Sequence, residues 1–153
     1  MRNQTHLLFA LLFGIVYFKY AAFSTQIASI LFSIGLLIGY LLPDIDEPKS
    51  TISKKIPITS KILSIFTRHR GIFHTIWVPI SIYALSSILP LPQIFIGLAI
   101  GYASHLTADM LTASGIAPFY PLTRFKIKGL VKTGSVLEAI LFVSILSYIL
   151  LIF

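Results

Sequence analysis

The chain has 153 residues, a length suited to a single domain (1–153), with 56% hydrophobic and only 11% charged residues and a mean hydropathy of +0.91. This balance excludes an ordinary soluble domain and points to an integral membrane protein. Cysteine is absent and the net charge is +7, which excludes a disulfide framework and a thiolate metal site and leaves nitrogen and oxygen as the donors for any metal.

Five apolar runs follow in order, at about residues 7–24, 27–42, 72–89, 94–111 and 136–153. Each approaches the roughly 20 residues that span a bilayer, so the expected fold is an all-α polytopic membrane bundle of about five transmembrane helices. The first run follows Arg2, as a signal peptide would, but Tyr17-Phe18-Lys19-Tyr20 is a poor cleavage context, and it is expected to be a retained helix. Pro43 and Pro48 bracket a turn after the second run. Ser60 can then cap a short amphipathic helix through Thr67, lying at the membrane interface. Pro90-Leu91-Pro92 makes a tight turn between the third and fourth runs. After the fourth, Gly115, Pro118 and Pro121 force an irregular loop, in which alternating polarity from Arg124 to Lys128 suggests a short hairpin.

Five spans with Arg2 inside place residues 1–6, 43–71 and 112–135 in the cytoplasm, and these segments carry eleven of the twelve Lys and Arg. The positive-inside rule therefore predicts a multi-pass inner-membrane protein with a cytoplasmic amino terminus. The positive charge signals membrane topology and anionic lipid contact, and no nucleic acid is expected.

The titratable residues share one side of this topology. His6 opens the first run; Asp44, Asp46 and Glu47 follow the second; His69 and His74 flank the start of the third; His105 and Asp109 lie in the inner half of the fourth; Glu138 opens the fifth. His105 and Asp109 are one helical turn apart on one face. A carboxylate in an apolar run is costly, and a shared cation would repay it. Four imidazoles and several carboxylates suit zinc, manganese or iron and are numerous enough for two or more ions. Such a centre can hydrolyse a phosphoester, with Asp44 or Asp46 as bridging ligand or base and Arg70 on the phosphoryl group. Gly35 with Gly39, and Gly97 with Gly101, have the small-xxx-small spacing that lets helices approach closely.

Plainer readings stand beside these. Asp44 and Asp46 can simply end a helix and start a turn. Ser135-Val-Leu-Glu138 matches a capping box, so Glu138 either caps the last helix or supports the metal-binding residues from behind.

Three segments together, Leu41–Ser50, His69-Arg-Gly-Ile-Phe-His-Thr75 and Gly101–Thr112, resemble the membrane-bound metal-dependent hydrolases, whose bacterial members are described as LexA-binding and inner-membrane-associated. Thr5-His6, Gly115, Pro121, Gly134-Ser135 and Glu138 extend the likeness nearly end to end. That family is distantly similar to the all-α zinc phospholipase C and single-strand nuclease group. The resemblance implies His6, Asp44, Asp46, His69, His74, His105 and Asp109 as metal residues; family members often have His where this chain has Glu47. It implies a hydrolase acting on a lipid or lipid-linked phosphate at the cytoplasmic face. Two other classes stay open, a divalent-metal transporter or sensor and a non-enzymatic membrane adaptor. An outer half devoid of acids and histidines argues against the transporter.

Overall fold

The computed structural model describes residues 1–21, 23–46 and 71–152, with the side chain of Asp46 excepted. Five α-helices form within them: α1 (Asn3–Tyr20), α2 (Gln26–Gly39), α3 (Trp77–Leu85), α4 (Pro92–Met110) and α5 (Val136–Ile152). Short 3₁₀ turns at Leu42–Asp46 and Ile72–His74 follow α2 and precede α3. The all-helical expectation holds, and each helix falls within one of the five apolar runs or starts a few residues before it.

The helix starts are locally encoded. Thr25 caps α2, its hydroxyl oxygen accepting from the Ala28 N–H at 3.1 Å. Pro92 opens α4 after Leu91 takes a left-handed conformation, φ 65°, so the turn expected at Pro90–Pro92 is formed. The apolar run at 72–89 yields only the nine residues of α3, because its first residues form the Ile72–His74 turn.

α4 is the central element and packs against α1, α2 and α3. Its approach to α2 is a backbone contact along the predicted glycine pairs. A Cβ on Gly97 or Gly101 would collide with the carbonyl of Phe32 or Leu36, and one on Gly35 or Gly39 with that of Ile94 or Leu98. On another side of α4, Ala108 joins Leu8 and Phe9 of α1 and Ile145 and Ile149 of α5 in one apolar cluster. Tyr102 and Leu106 face Ile116, with Val78 and Ile82 of α3 packed against them.

Two expectations are corrected. No described helix is long and apolar enough to cross a membrane. α2 and α3, with 14 and 9 residues, reach only about 21 and 14 Å at 1.5 Å per residue. α1 carries Asn3, Gln4, His6 and Lys19, α4 gives its last turns to His105 and Asp109, and α5 has 17 residues. The expected hairpin at Arg124–Lys128 pairs instead with the segment after α4. Ile127 and Ile116 exchange backbone hydrogen bonds at 2.9 and 3.1 Å, and the Gly129 N–H donates to the Thr112 carbonyl at 2.9 Å. The interfacial helix expected at 60–67 lies outside the described residues.

Candidate metal centre

The alternating helices bring the start of α1, the end of α2, the start of α3, the end of α4 and the start of α5 to one end of the bundle. At that end His6, His74, His105 and Asp109 are buried. Asp44, on the turn after α2, has a side chain 34% exposed and forms the wet edge of the cluster.

Asp109 is the hub. Its Oδ2 lies 3.4 Å from His74 Nε2 and 3.8 Å from His105 Nε2, and its Oδ1 lies 3.7 Å from His6 Nε2. Asp44 Oδ1 lies 3.5 Å from His105 Nε2. Most of these separations exceed a good charge-assisted hydrogen bond, about 2.7–2.9 Å. They are close to the edge of a coordination tetrahedron, since donors about 2.0–2.2 Å from one ion stand roughly 3.3–3.6 Å apart. Two sets bring one donor atom from each residue within 4.8 Å of the others, His6 with His105 and Asp109, and Asp44 with His74 and His105. Among the described residues, no hydrogen bond satisfies buried His105 Nε2 or His6 Nδ1. The donor set therefore fits a nitrogen- and oxygen-ligated divalent ion.

Neighbouring groups fix the orientation of the rings. The Tyr40 carbonyl, at the end of α2, lies 2.7 Å from His105 Nδ1, so that nitrogen carries the proton and Nε2 offers its lone pair. His6 stacks on His105 with centroids 4.0 Å apart and planes 13° apart, whereas His74 meets His105 edge-on at 5.9 Å and 70°. The Tyr102 hydroxyl, on α4, donates to the Phe73 carbonyl and holds the turn that presents His74. At Asp44, burial opposes ionisation, but the His105, His6 and His74 imidazoles outweigh it and hold its carboxyl below the usual carboxylate range.

Of the residues singled out from the sequence, the structure brings together His6, Asp44, His74, His105 and Asp109. Asp46 ends the Leu42–Asp46 turn; its side chain, and Glu47, His69 and Arg70, lie outside the described residues. Glu138 belongs to neither donor set. Its carboxylate accepts from Arg2 N at 2.5 Å, Thr5 Oγ1 at 3.0 Å and Gly134 N at 2.6 Å, while Ser135 Oγ accepts from Glu138 N at 3.3 Å. Half of the expected capping box is thus present, and the carboxylate clamps the residue before His6. The roles of Tyr40 and Tyr102 were not legible in the sequence, although Tyr102 lies three residues before His105 on the same helix face; Thr5 stood out only beside His6 in the family resemblance.

Residues 1–152 match the family described as YdjM inner membrane protein. The chain is 34% identical over 140 residues to the protein named "Uncharacterized protein YvsG" of Bacillus subtilis (strain 168), covering 90% of this chain and 85% of that one. It is 35% identical over 109 residues to the inner membrane protein YdjM of Escherichia coli (strain K12), covering 64% of this chain and 54% of that protein, about half its length. No solved structure matches. The chain belongs to the YdjM inner membrane protein family, whose description gives a membrane location and names no reaction.

Proposed function

We propose that this member of the YdjM inner membrane protein family is a metal-dependent hydrolase that cleaves a phosphoester, a lipid or lipid-linked phosphate, at the cytoplasmic face. The observation that carries this reading is the Asp109 hub, with three imidazoles 3.4–3.8 Å from its two oxygens and Asp44 3.5 Å from His105. A purely structural cluster would close such gaps to hydrogen-bond length. His6, Asp44, His74, His105 and Asp109 would hold the metal, with zinc, manganese and iron all compatible with the donors. When bound, such an ion supplies Lewis acidity and a water that ionises near neutral pH.

The chain's own residues do the rest. Tyr40 and Tyr102 keep the His105 and His74 rings aimed inward. Asp44 is the carboxylate at the exposed edge, its side chain 34% exposed and held ionised, and the oxygen it does not give to the ion would take a proton from water. Arg70 remains the sequence's choice for binding the phosphoryl group, through its planar donors.

Family membership and the outer surface support a multi-pass seat in the membrane. Ile27, Ile30 and Ile34 of α2 and Ile140, Val143 and Leu151 of α5 are exposed large apolar side chains. α1, α4 and α5, with 17 to 19 residues, reach about 26–28 Å, so insertion asks for a locally thinned bilayer. The test is metal analysis of the detergent-solubilised protein, followed by a phosphoester panel with and without chelator. Metal bound at one or more equivalents, with chelator-sensitive hydrolysis lost in His105→Ala, is the expected result. Full activity in His105→Ala would refute the reading.

A further inference from the structure

We infer that the cluster contains two unequal ion positions beside Asp109: a tight one formed by Asp44, His74 and His105 next to Asp109 Oδ2, and a weak one formed by His6 and Asp109 Oδ1. This deepens the proposed metal centre and rests on it.

The two donor sets share His105, but His105 cannot serve two ions. The Tyr40 carbonyl only accepts, so His105 Nδ1 is a donor and a single lone pair remains, on Nε2. Ring geometry decides where that lone pair goes. An imidazole binds a cation in its own plane, along the nitrogen lone pair. The His6 and His105 planes are only 13° from parallel, with centroids 4.0 Å apart, so no point a bond length from both nitrogens lies in both planes. The His74 and His105 planes cross at 70°, so their lone pairs can converge.

The carboxylates agree with this division. His74 and His105 both approach Asp109 Oδ2, at 3.4 and 3.8 Å, and Asp44 Oδ1 lies 3.5 Å from His105 Nε2. Three donors, Asp44, His74 and His105, thus share one position, with Asp109 Oδ2 beside two of them and a place left for water. His6 Nε2 instead faces the opposite oxygen, Oδ1, at 3.7 Å. Asp109 therefore bridges, one oxygen to each side. On the His6 side the described side chains supply His6 Nε2 and Asp109 Oδ1, and the Met1 amino group stands 3.9 Å from that same oxygen, so that position binds more weakly.

The experiment titrates manganese into chelator-stripped, detergent-solubilised full-length protein, followed by calorimetry and by electron paramagnetic resonance. The wild type should bind two equivalents with affinities about tenfold or more apart, and the second should convert a single-ion spectrum into an exchange-coupled one. His6→Ala should keep the tight step within about threefold and lose the coupled signal. His74→Ala should weaken the tight step by more than the roughly 100-fold that loss of an outer-shell partner costs. His6→Gln, which keeps the side-chain volume, guards against misfolding and should match His6→Ala. If His6→Ala and His6→Gln weaken the tight step as much as His74→Ala, or the wild type binds one equivalent only, the asymmetry is overturned while the metal centre stands. A wild type that binds no manganese, zinc or iron overturns both.

Discussion

Thr5 Oγ1 donates a hydrogen bond to Glu138 Oε1 at 3.0 Å, joining the first turn of α1 to the first turn of α5. The same carboxylate takes the N–H groups of Arg2 and Gly134. His6 follows Thr5 directly, so this latch sets where α1 enters the candidate metal centre. Replacing Glu138 by Ala strands three donors, two of them at helix starts, where unsatisfied N–H groups are already concentrated. We expect Glu138→Ala to cost about 1–3 kcal/mol and to weaken metal binding at the His6 side first. Glu138→Gln, which still accepts through its amide oxygen, should keep most of the metal. Thermal unfolding in detergent and metal titration would read both effects; a Glu138→Ala protein as stable as wild type would show that the latch is dispensable.

Tyr102 offers a finer test of how His74 is held. Its hydroxyl donates to the Phe73 carbonyl from α4, three residues before His105. Tyr102→Phe keeps the buried ring and removes only that donor, leaving a carbonyl with one partner fewer. The expected loss is about 1 kcal/mol of stability together with weaker binding at the tight position. If stability falls while metal affinity is unchanged, the hydroxyl serves the fold alone.

The glycine seam can be tested by contrast within the molecule. An added Cβ at Gly101 meets the Leu36 carbonyl and the Tyr40 nitrogen, neither of which can move without shifting α2. At Gly14 the obstacle is the end of the Leu36 side chain, at 2.6 Å, which can rotate away. Gly101→Ala should therefore cost about 1–3 kcal/mol and Gly14→Ala much less. Because Tyr40 supplies the carbonyl that orients His105, Gly101→Ala should also lower metal affinity. Equal, mild effects of the two substitutions would contradict a rigid α2–α4 contact.

Much of this was legible because it is periodic. Apolar runs gave five helices, and glycines four residues apart marked the α2–α4 seam. The i,i+4 spacing of His105 and Asp109 placed both at one end of α4. What was not legible depends on partners without a side-chain signature or far along the chain. A backbone carbonyl such as that of Tyr40 looks like any other in sequence. Glu138 read as a local cap because Ser135 stands three residues before it, yet two of its partners, Arg2 and Thr5, lie in the amino-terminal segment. The run at 72–89 read as one long helix because hydropathy does not register that Ile72–His74 is diverted into a turn. Alternation at Arg124–Lys128 marked an extended segment that forms no hairpin of its own, since Ile127 makes an isolated bridge with Ile116.

The last expected outcome concerns which side of the membrane the centre faces. Eleven of the twelve Lys and Arg fall in the segments assigned to the cytoplasm, and Lys19, at the opposite end of α1, is the exception. His6, Asp44, His74, His105 and Asp109 sit at the end of the bundle where α1 starts, the end at which Arg2 precedes α1 and Arg124, Lys126, Lys128 and Lys132 follow α4 in the loop to α5. Anionic headgroups are drawn to such segments by about 1 kcal/mol per nearby Lys or Arg. Lys126 and Lys128, both in the loop after α4, would gather a negatively charged substrate there. The chain contains no cysteine, so single cysteines report position cleanly. Thr123 in that loop and Ser87 beyond α3 are exposed at opposite ends of the bundle. In intact cells an impermeant maleimide should label Ser87→Cys and spare Thr123→Cys until the membrane is opened. The reverse pattern would invert the orientation and remove the cytoplasmic substrate, while labelling of both without permeabilisation would exclude a bundle that separates two compartments.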